Sequence, residues 1–147
     1  MPKAAAATVI QGGRAKAYRP IPAADRQAAY QAALAAYDRG DFFLTHELLE
    51  PAWMGTDNIP ERELYQGLIK LAAAFVHGVR GNPRGIARNL EGARPRLAAA
   101  REAGMTGGLD LGELLAAIDE RLATLEHLVD DRDAAAIDPP ALRRTTP

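Results

Sequence analysis

His46 and Glu50 stand four residues apart in the stretch Phe42-Phe43-Leu44-Thr45-His46-Glu47-Leu48-Leu49-Glu50-Pro51-Ala52-Trp53. On a helix, Phe42, His46, Leu49, Glu50 and Trp53 share one face. The large apolar members direct that face at a core, so an imidazole and a carboxylate are expected to point inward. Left unpaired there, each polar group costs about 1–3 kcal/mol, so each needs a partner. A second polar line, Arg62, Gln66, Lys70, Ala73 and His77, runs at helical spacing along an otherwise apolar segment. If the two helices pack antiparallel across the turn at 54–59, their polar groups meet, with His46 nearer His77 and Trp53 nearer the start of the second helix.

Such a constellation supports three kinds of chemistry. It can be a satisfied polar network that fixes the packing of two helices. It can be a pocket that binds, or moves protons, without a metal. It can also hold a divalent ion on His46, Glu50 and His77, with Glu47 as general base, which is a hydrolase-like arrangement. Against the metal, Glu50 stands where a zinc-peptidase helix would carry its second histidine. The chain has three histidines in all, and the third, His127, lies in a segment with a charged surface. Lys70 would also oppose a cation. The sequence calls for no cofactor, and it contains no serine, which excludes a serine nucleophile. The glycines and arginines of 78–85 do not form a phosphate loop, because no strand precedes them and the Gly-Lys-Ser/Thr ending is missing.

The elements that must position these residues are helices. Tyr30, Leu34 and Tyr37 trace one stripe over 24–39, and Gly40 is a natural stop. Asp41 suits the N-cap of a second helix over 42–54, where Pro51 predicts a kink or a tighter last turn. Pro60 opens a third helix expected to reach residue 80, apolar on nearly every side and therefore central. Asn82-Pro83 begins a fourth helix to about 102, and Asp110 caps a fifth whose Leu111, Leu114, Leu115, Ile118, Leu122, Leu125 and Val129 lie on one face. The fold class expected is all-α, a compact bundle of four to five helices with flexible N- and C-terminal tails. Residues 1–22, with Lys3, Arg14, Lys16 and Arg19 and no acidic residue, read as a flexible basic arm without strands. Residues 23–131 read as a single helical domain, and 132–147 as a C-terminal tail.

Composition narrows the setting. A chain of 147 residues with 48% apolar content can bury a core. Its net charge of -1 offers no field to attract nucleic acid or an anionic membrane. The absence of cysteine removes disulfides and thiolate chemistry and fits a cytoplasmic location. No stretch is long and apolar enough to span a bilayer. Partners are not specified, and homo-oligomers are allowed.

The ordered blocks His46-Glu47-Leu48-Leu49-Glu50-Pro51-Ala52-Trp53, Tyr65-Gln66-Gly67-Leu68-Ile69-Lys70-Leu71-Ala72-Ala73, His77 and Gly81-Asn82-Pro83-Arg84-Gly85 resemble domain-of-unknown-function family 309. The likeness covers roughly 25–125. It implies a compact all-α fold of bacterial and archaeal proteins and no established reaction. It stresses His46, Glu47, Glu50, Trp53, Gln66, Gly67, His77, Gly81 and Asn82. Lys70 departs from the family's usual glutamine, and Ile86 from its usual small residue. The expectation is an uncharacterised helical domain with a binding or structural role centred on a His/Glu/Trp cluster. The alternatives are the metal-dependent enzyme and a protein–protein interaction module.

Overall fold

Helix α1 (Ala23–Asp38) begins at Pro22, whose carbonyl accepts from the backbone amides of Asp25 and Arg26, both at 3.0 Å. It ends at Gly40, which takes a positive φ of 83° that a side chain would resist. Asp41 then caps α2 (Phe42–Met54), its carboxylate accepting from Leu44 N at 3.1 Å. Pro51 stays inside α2, and the helix closes on a short turn in which Gly55 N donates to Ala52 O. This is the tighter last turn that a proline at that place calls for. The structure is a computed structural model that describes residues 8–11, 14–17, 20–76, 83–128 and 137–145.

Helix α3 (Ile59–Val76) starts one residue before the expected proline, because Asn58 serves as its cap and accepts from Glu61 N at 2.9 Å. The expected continuation to residue 80, with His77, lies outside the described residues. Helix α4 (Pro83–Glu102) passes through Pro95, and α5 (Leu111–Glu126) starts at its Asp110 cap. Among the described residues the fold is an all-α bundle of five helices in which each helix packs chiefly on the next in sequence. Helix α3 is central as expected, with Leu64, Leu68, Leu71 and Phe75 in a core shared with Leu49, Leu90 and Leu97. Gly67 lets α3 and α4 approach closely, since a Cβ there would lie 2.7 Å from the Leu97 side chain. No helix among the described residues is long and apolar enough to cross a membrane.

Two stretches depart from expectation. Within the arm, β1 (Thr8–Gln11) and β2 (Arg14–Ala17) pair antiparallel, Thr8 opposite Ala17 and Gln11 opposite Arg14. The cue was present, since Gly12-Gly13 separates the two short stretches by a hairpin-type dipeptide. At the other end, residues 137–145 are docked and do not form a free tail. Leu142 is buried, Tyr37 Oη donates to Pro140 O at 2.6 Å, Asp110 N donates to Arg143 O, and Arg144 pairs with Asp38 at 2.6 Å. This strap joins α1 to α5. Pro139-Pro140 signals the end of a helix, but nothing local in the sequence reveals that the following leucine has a cavity to fill.

The strap and the loop before α5 also account for two buried phenols. Tyr30 Oη donates to Gly107 O at 2.7 Å, and burial pushes both Tyr30 and Tyr37 well above the ordinary tyrosine range. Folding therefore favours their neutral form. Their contribution is fully present below the unfolded phenol value of about 10 and is lost as pH rises beyond it, because the unfolded chain ionises first. Alkaline titration should show phenolate absorbance from these tyrosines rising together with loss of helical circular dichroism. Ionisation of every tyrosine near its ordinary value in a chain that stays folded would contradict this.

Candidate functional site

The inward face of α2 is rotated from the one that the sequence suggests. Thr45, Leu49, Ala52 and Trp53 are buried, while His46 and Glu50 lie at the rim. The His46 side chain is 33% exposed, Glu50 40% and Glu47 54%. The expectation that His46 and Glu50 point into the core is therefore corrected. Thr45 takes the inward polar place because it satisfies itself locally, its hydroxyl donating to Asp41 O at 2.9 Å with Ala33 O sharing that hydrogen at 3.3 Å. His46 Nδ1 stands 3.5 Å from Glu47 Oε1 and 3.7 Å from Glu50 Oε2. Those separations are too long for hydrogen bonds.

Around this imidazole lies a cleft of about 300 Å³, walled by Phe43, His46 and Glu47 of α2, floored by Ala73 and Val76 of α3, and closed by Asn89 of α4. Phe43 is 64% exposed. Sequence reasoning overlooked it, although a signal existed: adjacent Phe42 and Phe43 cannot share a helix face, so one must leave the core. Phe42 is the inward one, with its ring 5.1 Å from that of Tyr37 and 5.9 Å from that of Phe75. Asn89 was overlooked as well, and it comes to the cleft only through the antiparallel packing of α3 and α4.

The other candidates separate from His46. Trp53 is buried, with its indole Nε1 lacking a hydrogen-bond partner among the described residues. Arg62 stacks 4.6 Å from the ring centroid and donates to Trp53 O at 2.9 Å and Thr56 O at 3.3 Å, closing the carboxyl end of α2. Burial pulls the Arg62 guanidinium below its usual range. Seven residues of helix put this group about 10 Å along the axis from His46. Gln66 is half-buried between the two ends. Lys70 sits beside α4, its stem so close to Gly92 that a Cβ there would lie 3.0 Å from Lys70 Cδ. It lines a second cleft, of about 630 Å³, with Ile59, Glu63, Gly92, Pro95, Arg96 and Ala99. Arg96 pairs there with Glu63 at 3.0 Å.

The structure therefore brings His46, Glu47 and Glu50 together, joins Trp53 to Arg62, and sends Lys70 to a neighbouring cleft. His77 lies outside the described residues. Among the described residues, no three histidines or carboxylates are grouped so as to hold a metal ion.

Residues 30–89 match the family model described as "Domain of unknown function (DUF309)". The chain is also similar to an "Uncharacterized protein" of Aquifex aeolicus (strain VF5), 34% identical over 91 residues. That stretch is 62% of this chain and 27% of the relative, so the chain spans about a quarter of that protein's length. No solved structure matches. Neither match names a reaction, and the biochemical function of the chain is not established.

Proposed function

We propose that the helical bundle is a single binding domain and that the cleft beside His46 is its contact surface. The observation that carries this reading is Phe43, a large apolar side chain held open at the mouth of an apolar-floored cleft. Exposed apolar surface rimmed by polar groups is how contact sites on soluble proteins are built. His46 and Glu47 supply the rim, and an imidazole can donate or accept toward whatever docks. The same reading locates the domain in the cytoplasm, in keeping with a cysteine-free chain, and gives nucleic acid no role, in keeping with a net charge of -1.

The test uses peptides selected from a displayed random library against the full chain. Their affinity is expected to fall by ~10-fold or more on Phe43→Ala and on His46→Ala, which corresponds to about 1.4 kcal/mol. Both variants should melt like the parent, since rim substitutions are usually worth within about 0.5 kcal/mol. Failure to enrich any peptide, or equal binding to parent and variants, would remove the cleft as a contact surface. If Phe43→Ala converts an associating chain to a monomer, the occupant is a second copy.

A further inference from the structure

We infer that the segment received at this surface is an amphipathic helix with a carboxylate at its centre, laid along the outer side of α3 from the His46 cleft to Ile59; this rests on the His46 cleft being a contact surface. Between Pro60 and Val76 no residue of α3 is fully exposed, although Arg62, Gln66, Lys70 and Ala73 all lie on its outward strip. A helix whose outward side is recessed along its whole length is the floor of a groove, and its walls here are α2 and α4. The two clefts are successive parts of that groove. Lys70 of one precedes Ala73 of the other by a single turn on α3, and Gly92 follows Asn89 by a single turn on α4. From Ile59 to Val76 the floor runs about 26 Å at 1.5 Å per residue.

Three features define the occupant. Both ends are apolar and open, Phe43 at one and Ile59, 71% exposed, at the other. Between them stands Lys70, which has no ion-pair or hydrogen-bond partner among the described residues and whose stem is braced on Gly92. A carboxylate arriving there meets a positioned ammonium group whose charge no neighbouring carboxylate already pairs. The floor is also a helix, with its backbone amides and carbonyls satisfied internally. An extended segment would find no strand edge to pair with, whereas a helix brings its own hydrogen bonds and packs side chain against side chain. The chain's own N-terminal arm is the wrong sign, carrying Lys3, Arg14, Lys16 and Arg19 and no acidic residue.

A displayed library of helix-forming peptides of about 18 residues, long enough for this floor, selected on the full chain provides the test. Enriched sequences should carry apolar residues toward both ends and Asp or Glu at the centre. Their binding should weaken by ~10-fold or more on Lys70→Glu and on Ile59→Ser. Exchanging the central acid of the peptide for lysine should restore binding to the Lys70→Glu variant, and Lys70→Gln separates lost charge from lost packing. Peptides that depend on Phe43 but ignore Lys70→Glu and Ile59→Ser would overturn the extended groove while leaving the cleft reading intact. Peptides indifferent to all of these substitutions would overturn both. Self-association that depends on Lys70 and Ile59 would hand the groove to a second copy and overturn the heterologous helix.

Discussion

Trp53→Ala is expected to cost the fold about 3–5 kcal/mol, the range for emptying a buried aromatic site. The indole is only 1% exposed, lies within the core cluster and supports the guanidinium of Arg62. Removing it leaves a cavity and strips Arg62 of its stacking surface, so the carboxyl end of α2 loses its closure as well. Trp53→Phe should cost far less. It keeps most of the apolar volume and discards an N–H that has no partner among the described residues. Urea denaturation followed by circular dichroism is the suitable measurement, because the chain has one tryptophan and its fluorescence disappears with the substitution. The contrast with His46→Ala is the informative part. A Trp53→Ala midpoint close to that of the parent, together with a large loss for His46→Ala, would mean that the two residues have been assigned the wrong roles.

A chain ending at residue 136 is expected to lose about 4 kcal/mol or more. Burial of Leu142 supplies about half, and hydrogen bonds from Tyr37 Oη to Pro140 O and from Asp110 N to Arg143 O supply about 1 kcal/mol each. The exposed pairs Arg144–Asp38 and Arg143–Glu113 add little. A shortened chain that unfolds at the parent's urea midpoint would show that the strap contributes nothing.

The helices were legible because their signals are local. Asp41 and Asp110 cap where expected, Gly40 stops α1, and the apolar density of α3 marks it as central. The candidate site was legible as a neighbourhood and misread in orientation. A one-residue difference in which face of α2 turns inward exchanges His46 and Glu50 for Thr45, and helical periodicity tolerates either choice when aromatic residues bracket both. What settles it is Thr45, whose hydroxyl bonds to Asp41 and Ala33 carbonyls and so enters the core at little cost. Asn89, Gly92 and Arg96 reach the groove through the crossing of α3 and α4, which no spacing within either helix encodes. The resemblance noted from sequence agrees with the match over 30–89 and, like it, brings no reaction.

The strap has a consequence for the lifetime of the native state. Contacts between successive helices close short loops and can form early, whereas the bond from Tyr37 to Pro140 spans 103 positions of chain. Closing so long a loop is entropically costly until the bundle has brought both ends together, so the strap is expected to dock after the rate-limiting step. Interactions absent from the transition state act on escape from the native basin and leave entry into it unchanged. Strengthening the strap would lengthen the time the bundle stays folded without making it fold any faster.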